Sequence, residues 1–425
     1  MQSVYESLAE RGFIAQCTDV EELPKLLAGR QVTVYCGFDP TADSLHLGTL
    51  VPMMGLSHFQ RAGHRVLIIV GGATGMVGDP SGRSDERSLL TDEQVTANVE
   101  AVKRQLAHFF EFEGDNPAKL LNNNDWIGSM SFVDWLREVG KYFTINYMLA
   151  KDSVARRLES EQGISFTEFS YMTMQAYDFL HLYDAEGCTL QCGATDQWGN
   201  ITAGIDLIRR RRQAAAYGLT FPLVTAPSGE KYGKSAGNAV WLDAKRTTPW
   251  DFYQCLVRQE DREVVHYLKI YTFLPIEQID ALAQSMQAAP EKREAQKALA
   301  FEVTRIVHGE ETAREIARAA EVVYQSEIKD LSDGTLSAIF ADVPSTEVAT
   351  ADLDRGIDPI ELLARTGLAK SKSEARRLIK SGGAYVNNVR LTDEVTINRS
   401  HLASESFIVL RSGKKNYHLL RVTSG

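Results

Sequence analysis

Tyr35-Cys36-Gly37-Phe38-Asp39-Pro40-Thr41-Ala42-Asp43-Ser44-Leu45-His46-Leu47-Gly48-Thr49 is the stretch on which the fold turns. The apolar run Val32–Tyr35 predicts a strand, and Gly37 and Pro40 read as the loop that ends it. A helix is expected from Leu47 to Arg61, with Leu47, Leu50, Met54 and His58 on one face. The start of such a helix offers unpaired N–H groups and the positive end of its dipole, a place for phosphate. Thr41 and His46 can donate hydrogen bonds to phosphate oxygens, and Gly48 leaves room for a flat base. An ordinary strand-to-helix loop would account for the same residues, so His-x-Gly does not decide the matter alone.

Outward from this turn, Arg65–Val70, Thr189–Cys192 and Leu219–Val224 also read as strands. Leu47–Arg61, Asp92–Phe110 and Ser165–Leu182 read as helices between them. Strands alternating with helices predict an α/β fold, a Rossmann-like parallel sheet over residues 1–248, with ligands beyond the carboxyl ends of its strands. From Pro249 to residue 325 helical periodicity takes over, giving a helical domain. Residues 326–355 are rich in Asp, Ser and Thr and read as a linker with one short helix near Leu336–Phe340. Residues 356–425 form a small α+β domain: helices at Pro359–Thr366 and Ser371–Ser381, then strands at Ala384–Val386, Phe407–Leu410 and Tyr417–Val422 with a basic Arg411–Lys415 turn.

The chain has 425 residues, enough for about three domains. No apolar run approaches the ~20 residues of a membrane span, and Met1–Arg11 lacks a signal-peptide core. Five cysteines without a C-x-x-C pair argue against a disulfide framework or a zinc site and fit a reducing, cytoplasmic setting. The net charge of −10 is uneven: residues 356–425 carry 12 Lys+Arg against 6 Asp+Glu. A basic tail on an acidic body points to a polyanionic partner, or to a charged solubilising end.

Ser228-Gly229-Glu230-Lys231-Tyr232-Gly233-Lys234-Ser235-Ala236-Gly237 approaches a phosphate-binding loop but has the wrong glycine spacing and no helix start after it. Two lysines among glycines suit a mobile clamp on a polyphosphate, or a plain exposed turn. Ser165-Phe166-Thr167-Glu168 predicts a capping box. On the helix it opens, Tyr171, Gln175 and Asp178 share one polar face, with an apolar stripe of Phe169, Met172, Ala176 and Phe179 elsewhere on the helix.

His46-Leu47-Gly48-Thr49 and Lys231-Tyr232-Gly233-Lys234-Ser235 together resemble the HIGH and KMSKS signatures of class I aminoacyl-tRNA synthetases. Gly71-Gly72-Ala73-Thr74-Gly75, Gly78-Asp79-Pro80, Ile164–Tyr171 and Asp196-Gln197-Trp198-Gly199-Asn200 narrow the resemblance to the bacterial tyrosyl-tRNA synthetases, from about Val4 to Arg421. One departure stands out: Thr49 occupies the place of the second signature histidine.

The resemblance implies a two-step reaction. The carboxylate of L-tyrosine attacks the α-phosphate of ATP, giving tyrosyl-adenylate and pyrophosphate, and the tyrosyl group then passes to the 3′-terminal adenosine of tRNA(Tyr). It implies that Tyr35 and Asp178 bind the phenol, that Asp79, Tyr171 and Gln175 hold the α-ammonium, and that Gln197 lies near the carboxyl group. Thr41, His46, Lys231 and Lys234 would act on the phosphates. Cys36 and Asp196 would contact the ribose, with Gly48 beneath the base. Mg²⁺ would accompany ATP, and no carboxylate cluster suggests a dedicated protein metal site. The tail resembles a small RNA-binding fold shared with a ribosomal protein. Lys372, Arg376 and Lys380 lie on one helix face and Lys414 and Lys415 at a hairpin tip, both suited to backbone phosphates. Arg209-Arg210-Arg211-Arg212 could meet RNA or simply end a helix. Family members are homodimers, and the apolar stretch Phe132–Met148 is the expected interface. A nucleotide-dependent oxidoreductase is disfavoured because Gly71–Gly75 is not G-x-G-x-x-G. A non-catalytic RNA-binding relative, acting as a splicing or structural cofactor, is the alternative.

Overall fold

The computed structural model describes residues 2–81, 90–159, 163–224, 239–325, 327–341, 343–392, 395–413 and 416–423. It divides into two compact units, one of residues 1–247 and 258–299, the other of residues 248–257 and 300–425.

The first unit is built on six strands: β1 (Gln16–Cys17), β2 (Thr33–Phe38), β3 (Arg65–Val70), β4 (Lys119–Asn122), β5 (Cys188–Ala194) and β6 (Tyr217–Phe221). Their order is β1-β6-β5-β2-β3-β4. All neighbours are parallel except the β1 edge, which runs antiparallel to β6. The expected parallel α/β sheet is thus present. Chain order reverses between β5 and β2, so the crevice at their carboxyl ends is the natural ligand site of such a sheet.

β3 (RVLIIV) is almost wholly buried, as a central parallel strand must be. It also corrects the expected end of β2. Its ladder continues to Phe38↔Val70, so Cys36, Gly37 and Phe38 are strand rather than loop. β6 starts at Tyr217 and ends at Phe221, before Pro222 removes a donor. β1 and β4 escape sequence reading because a two-residue edge and KLLN carry no periodic signal. On one sheet face Tyr35, Leu67 and Ile69 pack with Met172, Ala176 and Phe179 of the Phe166–Glu186 helix. Each large side chain buried there contributes about 2 kcal/mol.

The helices between 249 and 325 are present as expected, but they are shared between the units. The Asp261–Tyr271 helix joins the first unit because buried Arg11 donates to the carbonyls at its end: Lys269 O and Thr272 O at 3.1 Å each and Leu274 O at 2.7 Å. The Pro249–Val257 helix packs instead on the Glu310–Gln325 and Asp333–Ile339 helices of the second unit.

The second unit carries β7 (Ser345–Ala349), β8 (Ala384–Val386), β9 (Val389–Arg390), β10 (Phe407–Ser412) and β11 (Asn416–Thr423), ordered β7-β11-β10-β8-β9. The expected linker holds its short helix, at Asp333–Ile339, but also β7, which pairs in parallel with β11, and a helix at Thr350–Arg355. Its polar composition hides the strand: only Val348 points fully into the core, while Ser345 and Glu347 face outward. Among the described residues no helix is long and apolar enough to cross a membrane.

Candidate active site

At the β2/β5 crevice lies a cavity of about 240 Å³. Its walls include Tyr35, Cys36, Thr41, His46, Asp79, Tyr171, Gln175, Asp178, Asp196 and Gln197, ten residues named from sequence. Gly48 is not among the lining residues. Lys231 and Lys234 lie outside the described residues.

The deep end is built around Asp178, which is 4 % exposed. Trp126 Nε1 donates to its Oδ1 at 2.8 Å and Asn123 Nδ2 to its Oδ2 at 3.0 Å. Burial nevertheless pushes its carboxyl up to about 7, with the Asn123 and Trp126 hydrogen bonds opposing. Tyr35 stands close by at 2 % exposure, and its hydroxyl has no hydrogen-bond partner. Burial first, and the Asp178 charge second, hold that phenol well above its ordinary range. A buried hydroxyl without a partner is costly, about 1–3 kcal/mol, unless a ligand satisfies it. A phenolic O–H inserted here could accept from Tyr35 and donate to Asp178.

Asn123 links this end to the next. Its amide also donates to Thr74 Oγ1 at 3.0 Å, and its own oxygen accepts from Ala73 N at 2.8 Å. Thr74 in turn donates to Asp39 Oδ1 at 2.8 Å, and Tyr171 donates to Asp39 Oδ2 at 2.7 Å. Gly71 is required beneath this contact, because a Cβ there would collide with Asp39 Oδ1 and Thr74 Oγ1. Asp79 accepts from Gln197 Nε2 at 2.6 Å and from Ser81 N at 2.9 Å. Asn200 ties Gln175 and Gln197 together at 3.0 and 3.3 Å. With Tyr171 donating to Asp39, its lone pairs remain available beside two carboxylates, an environment for a cation.

The turn at His46 differs from expectation. Gly48 N donates to His46 Nδ1 at 3.1 Å, Leu47 N to Val240 O at 2.8 Å, and Thr49 N to His46 O at 2.9 Å. The N–H groups expected to greet a phosphate are therefore already used, because a 3₁₀ turn at Leu47–Thr49 precedes the Leu50–Arg61 helix. What remains for a ligand is His46 itself. Burial pulls its imidazole down to about 4, so it is neutral, and with Nδ1 accepting, Nε2 carries the proton.

The capping box at Ser165 is half formed. Ser165 Oγ accepts from Glu168 N at 3.3 Å, but the Glu168 carboxylate pairs with Arg157 at 2.8 Å, both side chains being 2 % exposed. Sequence reading gave no role to Asp39, Thr74, Asn123, Trp126 or Asn200. Asp39 stood in the decisive stretch itself, and Asn123 and Trp126 follow β4, the strand that carried no signal. In the second unit Lys372, Arg376 and Lys380 are exposed, opposite buried Ala375 and Ile379. Lys414 and Lys415 lie outside the described residues. Each of Arg209–Arg212 is ion-paired, with Asp206, Glu138 or Asp184.

The family model described as tRNA synthetases class I (W and Y) matches residues 27–325. One described as the tyrosine--tRNA ligase SYY-like C-terminal domain matches residues 335–420. The chain belongs to the class I tRNA synthetases of this W and Y group. Its curated relatives include the tyrosine--tRNA ligase of Geobacillus kaustophilus, 51% identical over 97% of this chain and 97% of the relative. The tyrosine--tRNA ligase of Opitutus terrae is 49% identical over 99% of this chain and 100% of the relative. A crystal structure of a C-terminally truncated Aspergillus nidulans mitochondrial tyrosyl-tRNA synthetase superposes with a TM-score of 0.68 at 32% identity, covering 76% of this chain and 94% of that one.

Proposed function

We propose that this chain is a tyrosine--tRNA ligase: it condenses L-tyrosine with ATP to tyrosyl-adenylate and pyrophosphate, then transfers the tyrosyl group to the 3′-terminal adenosine of tRNA(Tyr). The observation that carries the reading is the unpartnered, buried Tyr35 hydroxyl beside an Asp178 held by Asn123 and Trp126. A phenylalanine bound there would leave both groups unsatisfied. The three carboxylates Asp39, Asp79 and Asp178 favour an ammonium group in the same cavity, with Asp79, Tyr171 and Gln175 around it. Gln197, held by Asp79, lies toward the substrate carboxylate.

The carboxylate nucleophile is ionised near neutral pH, so the first step needs no protein base. The chain's work is to position the reactants and stabilise the charge that builds on phosphate. Thr41 and neutral His46, through Nε2–H, donate to phosphate oxygens, and Lys231 and Lys234 neutralise them. Cys36 and Asp196 face the ribose, and Mg²⁺ arrives with ATP as part of the substrate. The exposed Lys372, Arg376 and Lys380 face, with Lys414 and Lys415, takes tRNA backbone. The protein works in the cytoplasm as a homodimer through the apolar face of Phe132, Val133, Leu136 and Ile145, which are 63%, 62%, 47% and 59% exposed. Met148, at the end of the expected interface, is buried in its own core instead. As functional modules, residues 1–248 hold the tyrosine and ATP site, 249–325 a helical domain and 356–425 the RNA-binding domain. An intact amino-acid cavity is what the alternative, a non-catalytic RNA-binding relative, would not need. The deciding experiment is ATP–pyrophosphate exchange with each amino acid in turn. Exchange with tyrosine alone is expected, and equal exchange with phenylalanine would end the reading.

A further inference from the structure

We propose that Cys36 and Cys192 form a two-thiol site for a soft, two-coordinate metal cation on the floor of the cavity. Cys36 on β2 and Cys192 on β5 are directly registered partners on adjacent parallel strands. Registered residues point to the same sheet face, and neighbouring strands lie ~4.8 Å apart. Both side chains are 2 % exposed, both line the cavity, and both are free thiols. The remaining cysteine of β5, Cys188, is engaged elsewhere: its Sγ donates to Thr33 O at 3.4 Å and Leu190 O at 3.5 Å.

The spacing selects the ligand. Two metal–thiolate bonds of ~2.3 Å laid end to end span ~4.6 Å, close to the distance between the strands. A disulfide needs its sulfurs ~2.05 Å apart and its Cβ atoms pinched below the strand spacing. A soft cation displaces the proton as it binds. The step balances without redox change: one monovalent cation and two thiols give a linear bis-thiolate complex and two protons. Soft thiolate pairs prefer ions of the copper(I) and silver(I) kind over hard oxygen-seeking ones. Asp39, Asp79, Asp178 and Asp196 around the same cavity favour the entry of a positive ion.

The consequence for activity rests on the proposed placement of ATP over Cys36, whereas metal binding does not. The test uses the reduced full-length chain, equimolar silver(I) and an excess of a monothiol competitor, read by native mass spectrometry. Wild type is expected to retain one silver ion per chain, and a Cys17→Ala/Cys255→Ala double variant to do the same. Cys192→Ser and Cys192→Ala should each abolish retention under the same competition, because either change leaves a single thiolate that is no better a ligand than the competing monothiol. Melting curves confirm that the variants fold. Retention of silver by both Cys192 variants, or none by wild type, overturns the proposal. Pyrophosphate exchange supplies the second arm: silver should inhibit wild type and saturating ATP should relieve it. If silver is retained but ATP does not compete, the placement of ATP over Cys36 fails while the metal site stands.

Discussion

The Thr49 hydroxyl donates to the His46 carbonyl at 2.6 Å, and the His46 N–H donates back to Thr49 Oγ1 at 3.2 Å. Threonine, which cannot carry charge, thus serves as a clasp that fixes the backbone of the neutral histidine. Thr49→Ala should lower the adenylate-forming rate about fivefold with tyrosine affinity kept, since it removes a cap worth about 1 kcal/mol. Thr49→Ser should behave as wild type. Stopped-flow measurement of adenylate formation checks this, and an unimpaired Thr49→Ala would show that the clasp is idle.

Asp178 should decide between tyrosine and phenylalanine. Asp178→Ala is expected to raise the tyrosine KM by orders of magnitude and barely change the weak use of phenylalanine. Equal losses for both amino acids would take Asp178 away from the phenol.

Trp126 donates one of the two hydrogen bonds that hold the Asp178 carboxyl down, against the burial that raises it to about 7. Trp126→Phe should move the pH midpoint for tyrosine binding upward, so that affinity is lost already at neutral pH. The tyrosine KM measured across pH 6–9, with both proteins on one plot, reads the shift.

The same carboxyl sets a stability slope. An unfolded Asp titrates near ~3.9, whereas folded Asp178 titrates at about 7. Between these values the native state holds a proton that the unfolded state has released, so this group's contribution falls as pH rises from about 4 to about 7 and is level above. His46, depressed to about 4, acts oppositely, losing stability as pH falls from ~6.5. Asp178→Asn should remove only the first slope. Melting temperatures of both proteins at pH 5 and pH 8 test it, and parallel curves would contradict the shift.

Lys234→Ala should slow adenylate formation by orders of magnitude while tyrosine still binds. Replacing Lys372, Arg376 and Lys380 together by Ala should leave pyrophosphate exchange intact, abolish tRNA charging, and reduce the salt dependence of RNA binding by roughly 2–3 phosphate contacts. Exchange and charging falling together would place those side chains elsewhere.

Much of the cavity was legible from sequence because its residues sit on strongly periodic elements. Tyr35 ends an apolar run, and Tyr171, Gln175 and Asp178 share a face of one long helix. The supporting side chains were not legible. Asn123 and Trp126 follow a four-residue strand too short to show alternation, and Asp39 reads as part of a loop, whereas the β3 ladder carries β2 to Phe38, directly before it. Glu168 fitted the capping-box pattern, yet a buried Arg157 outbid the local partner. Short-range rules cannot see a charge brought in by tertiary packing.

The parallel seam between β7 and β11 has a practical corollary for anyone excising the RNA-binding tail. A fragment cut at Gly356 would leave behind Ser345–Ala349 and bare one side of β11 along five registered positions. Such an uncovered backbone invites self-pairing between fragments. A soluble excised tail should begin before Ser345.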